Sequence, residues 1–226
     1  MPPSLPDNAS LVTRLRVARQ CLEVLKNDPT DPTSGQLINI CLDLGVYADI
    51  VQRFQRSEEG RRLLSERPSL QGKELDLSAL ERLPEGTLGN AVAGYFRDNK
   101  IAPFETTLEL KNDVDFIGKR YRETHDLLHV LTGYGTDVVG EMELQAFALG
   151  NLGIRTAVLI LLFGTFEHLK QGRPGISMSA FLRRLRAAHR RGRASEQFLS
   201  FWFEHHWETP VTTLRDRLCA PMAQVN

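Results

Sequence analysis

The chain has 226 residues and sets 28 basic side chains against 28 acidic ones, for a formal net charge of zero, with 42% hydrophobic and 25% charged residues. This is the composition of an ordinary globular domain. It excludes a disordered chain, a collagen-like fibre and a disulfide scaffold, and it leaves no global charge to attract nucleic acid. The cysteines, Cys21, Cys41 and Cys219, are scattered without CxxC spacing and read as buried thiols in a reducing compartment.

The first ten residues lack the basic stretch and apolar core of a secretory signal. Leu11, Leu15, Ala18, Leu22 and Leu25 recur at helical spacing. Arg14, Arg16 and Arg19 give the same segment a faint likeness to a transit peptide, which Glu23 opposes in favour of a first globular helix. After the turn-rich NDPTDPTSG, the residues Leu37, Ile40, Cys41, Leu44, Ala48 and Val51 repeat the pattern. Residues 57–67 predict a short helix ended by Pro68, and 75–83 another closed by Pro84. Tyr95, Phe96 and Ile101 belong to a helix running into Pro103. Segments 114–131, 138–149, 156–169, 179–189 and 196–218 all favour a 3.6 period. The window from Leu144 to Phe166 carries Arg155 as its one charge. It is formally long enough to span a bilayer, but a central arginine costs about 2.5–3.5 kcal/mol there. Gly150, Asn151 and Gly153 also interrupt it, so the expectation is two buried helices. The fold class is all-α, a single-domain multi-helix bundle.

All six histidines lie in the second half, beginning with His125 in THDLLHVLTGYGTDVVGE. On a helix His125, His129 and Asp126 stand at roughly 0°, 40° and 100°, so they project from one side. The helix stops at Gly133-Tyr134-Gly135, and Thr136 or Asp137 caps the next one. Glu141 then lies about one turn inside an antiparallel neighbour, able to face the histidines. Two imidazoles and two carboxylates converging in this way make a divalent-metal site, with zinc or iron suiting the imidazoles and magnesium or manganese the carboxylates. The bland reading is two polar residues on a half-exposed helix. The zincin HExxH would need a glutamate where Asp126 stands, and an HD phosphohydrolase would need a histidine upstream of residue 125, where none exists.

HDLLH, eleven residues and then Glu141 resemble the HDxxHx11E signature of the coenzyme Q biosynthesis family Coq4. ERP (66–68), DL (76–77), LPEGTLG (83–89) and YRETHDLLHVLTG (121–133) are similar to its approach and core, and Trp207-Glu208 and LRDRL (214–218) to its C-terminal end. The likeness covers roughly residues 57–219; residues 1–56 add little. The resemblance implies a protein of ubiquinone-type quinone biosynthesis acting on polyprenylated hydroxybenzoates. It implies removal of the carboxyl group at ring carbon one, in some accounts coupled to hydroxylation, and so a carboxy-lyase. His125, Asp126, His129 and Glu141 become its metal-binding and catalytic residues, with zinc first and magnesium, manganese or iron as alternatives. Tyr121 and Arg122, just before the motif, are expected to orient the ligands, with a surface ion pair the alternative for Arg122. The other reading is a non-catalytic isoprenoid-lipid-binding scaffold that presents quinone precursors to partner enzymes.

Glu141 opens the helix that leads into the apolar segment, so Leu144, Phe147, Leu159, Leu162 and Phe163 are expected to wall a polyprenyl tail; the bland alternative is core. The expected partners are that lipid, other quinone-biosynthesis enzymes, a membrane surface and a second copy in a dimer, with no nucleic acid. The expected location is cytoplasmic and peripheral to a bacterial inner membrane, with no span or signal peptide. Six arginines and His189 in 183–193 read first as a solvated helix face. Contact with anionic headgroups, at about 1 kcal/mol per charge, comes next, ahead of nucleic acid; binding of a lipid diphosphate is a further reading. In WFEHHWE (202–208) the aromatics read as core or dimer packing, with His205 or His206 a lesser candidate ligand. Glu123 is expected either to orient a ligand or to form a surface ion pair.

Overall fold

Capping residues decide where the helices begin. Asp31 accepts from Ser34 N at 2.7 Å and Pro32 occupies the first turn, opening α2 (Pro32–Gln55) after α1 (Leu11–Asn27). Both residue types suit a helix start, one satisfying an orphan amide and the other lacking one. Ser57 caps α3 (Glu58–Glu66) through Gly60 N at 3.0 Å, and Arg67 ends it in the left-handed region at φ 46°. The computed structural model describes residues 5, 9–27, 31–103, 105, 110–158, 160–161, 165 and 176–222. These residues form helices and no strand, with Thr87 and Pro210 making an isolated antiparallel bridge.

The chain folds as two compact units, residues 1–75 with 103–124, and 76–102 with 125–226. In the first, Val17, Ala18 and Cys21 of α1 bury against Leu37, Ile38 and Cys41 of α2. The opposite side of α1 stays in solvent, with Leu11, Val12, Leu15 and Leu22 exposed by 61%, 66%, 53% and 43%. Asn112 caps α6 (Asp113–Thr132) by accepting from Val114 N and Asp115 N at 2.9 and 3.0 Å. Arg67 pairs with Asp113 at 2.9 Å. The residues of α6 up to Thr124 belong to this first unit and those from His125 to the second.

The second unit holds α4 (Leu77–Glu81), α5 (Leu88–Asn99), the end of α6, α7 (Val138–Leu152), α8 (Met178–Ala194) and α9 (Val211–Leu218). LPEGTLG has a structural reason here: Leu88 N and Gly89 N, orphan donors at the start of α5, donate to Thr209 O and Trp207 O at 2.9 Å each. A helix start needs such acceptors, and Trp207 and Thr209, on either side of Glu208, supply them. α7 and α8 cross at close range, because a Cβ on Gly150 would run into the His189 carbonyl and one on Gly192 into that of Phe147. Asn151 Nδ2 donates to Gly192 O and Glu196 O at 3.0 and 2.8 Å, closing the crossing.

Two sequence expectations change. Gly150 and Asn151 do not interrupt α7, which runs on to Leu152 and stops at Gly153 with φ 79°; glycine inside it serves the crossing. Residues 196–218 are not one helix. Phe198–Ser200 and Phe203–His205 are single 3₁₀ turns, and α9 is the helix of that segment. Phe198, Leu199, Phe201, Trp202 and Phe203 are all buried, so this run has no solvent face to set a period. Among the described residues no helix is long and apolar enough to cross a membrane. Cys21, Cys41 and Cys219 are buried free thiols.

Candidate metal site

His125 and His129 lie one turn apart near the end of α6, where Gly133 with φ 77° stops the helix. Asp137 caps α7 by accepting from Val139 N and Gly140 N at 2.8 and 3.2 Å. Gly140 packs directly on the Gly135 backbone, where no Cβ fits. This tight reversal brings Glu141 back onto the α6 histidines. Ligand atoms of His125, His129 and Glu141 all lie within 4.8 Å of one another. Glu141 Oε1 is 3.1 Å from His129 Nε2, and Oε2 is 3.8 Å from His125 Nε2. Donors about 2 Å from one cation stand roughly 3 Å apart, so the trio is close to the spacing that a metal requires.

The donor chemistry also fits. His129 Nδ1 lies 3.0 Å from the Tyr134 carbonyl; donating there leaves the lone pair on Nε2, the arrangement of a metal-binding histidine. His129 Nε2 is buried and faces the Glu141 carboxylate across 3.1 Å. Burial opposes a charge on His129, yet Glu141 and the Tyr134 carbonyl together raise its pKa above the ordinary value. The His129 side chain is almost fully enclosed, whereas that of Glu141 is 35% exposed. The site is deep at one donor and open at another.

Asp126 stands outside the trio. Its Oδ1 is 3.6 Å from His125 Nδ1, the nitrogen opposite the one that faces Glu141, and its charge adds to burial in raising the pKa of the Tyr95 hydroxyl. Tyr121 and Arg122 border the buried Tyr47, whose hydroxyl is pushed well above its usual pKa by burial first, then by Asp43 and Tyr121, with Arg122 opposing. Glu123 is no surface residue. It is buried, accepting from Lys119 Nζ at 2.6 Å and Ser69 Oγ at 2.7 Å.

Leu144 and Phe147 are packed in the core, Phe147 edge-on to Tyr134 and Phe198. Leu159, Leu162 and Phe163 lie outside the described residues, as does most of the expected 156–169 helix. The arginine-rich helix is less solvated than its sequence implies. Arg191 is buried, donating to Thr132 O and Ala220 O at 2.8 Å each, and Arg184 grips Glu143 with both arms of its guanidinium. Arg215 donates to Leu131 O and Val130 O at 3.0 Å each. The last carbonyls of α6 are thus held by two cations, which also suit the negative end of a helix. His205 stacks on Trp202 and His206 on Phe201.

Sequence reasoning missed Tyr95. Its ring stacks on His129 with centroids 5.6 Å apart and planes 19° apart. The available signal was an aromatic off the core stripe of its own helix.

Residues 30–222 match the family described as "Coenzyme Q (ubiquinone) biosynthesis protein Coq4". The chain is 32% identical over 169 residues to the mitochondrial ubiquinone biosynthesis protein COQ4 homolog of Rattus norvegicus, covering 74% of this chain and 62% of that protein. It is 31% identical over 170 residues to the Danio rerio homolog, at 74% and 61% coverage. The match thus spans about three-fifths of these relatives' length. A crystal structure from Nostoc punctiforme, named for ubiquinone biosynthesis, is similar with a TM-score of 0.70 and 28% identity, over 91% of this chain and 95% of that one.

Proposed function

The chain belongs to the Coq4 family of coenzyme Q (ubiquinone) biosynthesis proteins, and from that premise we propose that it processes the head group of a polyprenylated hydroxybenzoate. The reaction is loss of the carboxyl group at ring carbon one, at a divalent cation held by His125, His129 and Glu141. The convergence of those three donors, buried at His129 and open at Glu141, carries this reading. Three protein ligands leave coordination positions free, as catalytic sites do and closed structural zinc sites do not. A bound cation would supply Lewis-acid polarisation of the carboxylate or a ring hydroxyl. The chain's own part is to present both Nε2 atoms, with the Nδ1 of His129 turned to the Tyr134 carbonyl, and to enclose His129 while Glu141 stays partly exposed.

A polyprenylated substrate would bring the protein to a lipid surface. Each buried methylene contributes about 0.8 kcal/mol, so an isoprenoid tail stays in a membrane unless it is drawn out. The exposed stripe of Leu11, Val12, Leu15 and Leu22 on α1, with exposed Arg16 and Arg19 along its edge, supports docking on an anionic bilayer, with leucines in the acyl boundary and guanidinium groups among headgroups.

The test is release of labelled carbon dioxide from a carboxyl-labelled prenyl-hydroxybenzoate, with the metal-loaded and metal-stripped protein and with Glu141→Gln. Release that needs the metal and falls at least tenfold in Glu141→Gln supports the reading. Ligand binding without release leaves the scaffold reading in its place.

A further inference from the structure

His129 has two neighbours that can take its single imidazole proton. The Tyr134 carbonyl lies 3.0 Å from Nδ1, and Glu141 Oε1 lies 3.1 Å from Nε2. A neutral imidazole donates from one nitrogen and accepts at the other. With the proton on Nδ1, Nε2 offers its lone pair to a cation; with the proton on Nε2, it does not. The choice rests on whether the Tyr134 carbonyl stays in place. Tyr134 lies in the turn after α6, beyond the Gly133 stop, where Gly133 N donates to His129 O at 2.9 Å. Arg191, buried in α8, reaches this turn twice. Its Nη1 donates to Thr132 O at 2.8 Å, and its guanidinium lies over the Tyr134 ring at 5.3 Å. Its Nε is anchored on Ala220 O at 2.8 Å.

We infer that Arg191 is a positioning residue for the metal site: by gripping Thr132 and Tyr134 it keeps the Tyr134 carbonyl on His129 Nδ1 and leaves Nε2 to the cation. This rests on the reading that His125, His129 and Glu141 hold a metal. A guanidinium suits the task because its planar donors point in fixed directions and its flat face packs on an aromatic ring. One arm binds the last residue of α6, another the residue after Cys219, and the face covers Tyr134. Burial makes the grip firm, since a buried charge cannot give up its partners without a large cost. Without that grip the turn relaxes and the Nδ1 proton loses its acceptor. The proton then passes to Nε2, where Glu141 accepts it in the place meant for the ion. Arg191 acts through Tyr134 and touches neither cation nor substrate. Arg215 binds the preceding carbonyls, Val130 O and Leu131 O at 3.0 Å each, and so provides a comparison at the same helix end.

The test compares Arg191→Gln, Arg191→Lys and Arg215→Gln with wild type in the full chain. Nitrogen NMR of the metal-free protein, with the imidazole neutral, reports which His129 nitrogen carries the proton. Titration with cobalt(II), read by competition, reports affinity. Arg191→Gln is expected to move the His129 proton towards Nε2 and to lose roughly 10- to 100-fold in cobalt affinity. Arg191→Lys keeps the charge but has one donor group for two carbonyls, so it should fall between Arg191→Gln and wild type. Arg215→Gln should lower thermal stability while leaving the proton and the affinity as in wild type. A proton still on Nδ1 in Arg191→Gln would overturn the inference, as would the same result in Arg191→Lys should Arg191→Gln not fold. Equal losses in Arg215→Gln would also overturn it, because both arginines would then serve only the helix end. Absence of cobalt binding in wild type would instead remove the metal reading, while the NMR comparison still decides whether Arg191 sets the tautomer.

Discussion

A proton and a cation compete for His129 Nε2. In the metal-free protein the raised pKa of His129 means that the folded state holds this proton more tightly than the unfolded chain does. The stability so gained is fully present below the ordinary histidine value of about 6.5 and is lost as pH rises through the higher folded value. A cation requires the unprotonated nitrogen, so its affinity runs the other way, weak in acid and increasing until pH has passed the raised pKa. Thermal midpoints across about pH 5–9, with and without zinc, should show a stabilisation by metal that grows with pH. In His129→Ala that stabilisation should vanish while the metal-free protein still melts cooperatively. A metal-induced shift that ignores pH, or that survives in His129→Ala, would contradict the site. The histidines themselves were readable in the sequence, because four residues make about one helical turn and Gly133 announces the stop. The tautomer was not, since it depends on a carbonyl, Tyr134 O, that comes into place only when the turn after α6 closes.

The crossing of α7 and α8 depends on two glycines that touch backbone on both sides. Gly192→Ala places a methyl group against the Phe147 carbonyl. The helices must then part, at a cost of about 1–3 kcal/mol, and the Asn151 bonds to Gly192 O and Glu196 O stretch with them. Urea unfolding should show a lower midpoint with an unchanged slope; a midpoint equal to wild type would mean that the contact yields freely. The same glycines show why sequence patterns mislead at this scale. Inside an apolar stretch a glycine reads equally as a break or as a contact point, and only the partner helix decides. Residues 196–218 fail for a related reason. Buried aromatics in succession match several periods at once, and the 3₁₀ turns there are set by packing. The caps Asp31, Ser57, Asp76, Thr87, Asp137 and Ser177 act locally; of these, Asp137 was read from the sequence as one of two candidates.

For the whole molecule, zero net charge conceals an uneven surface. α1 carries its arginines beside apolar side chains that stay exposed among the described residues, and this pairing predicts attachment to anionic lipid. The protein should float with vesicles containing phosphatidylglycerol and much less with phosphatidylcholine alone. Binding should weaken in about 1 M salt, where screening shortens to about 3 Å. Val12→Glu with Leu15→Glu should abolish flotation without unfolding the chain, because Val17, Ala18 and Cys21 make the core contacts of α1. Equal binding to both vesicle types, or a change of oligomeric state in the variant, would assign the stripe another role. The sequence showed one stripe on this helix, Leu11, Leu15, Ala18, Leu22 and Leu25; the core takes Ala18 with Val17 and Cys21 and leaves Leu11, Leu15 and Leu22 exposed, a choice made by α2.

The end of α6 is held by groups far along the chain: Thr132 O by Arg191, 59 residues on, and Val130 O and Leu131 O by Arg215, 85 and 84 residues on. An unfolded chain therefore offers His125 and His129 to a metal with neither the enclosing wall nor the fixed tautomer. Capture must follow the slow assembly of long-range contacts, so the ion is acquired by a finished receptor. Adding it early should not hasten refolding, and withdrawing it should leave a receptor ready to be loaded again.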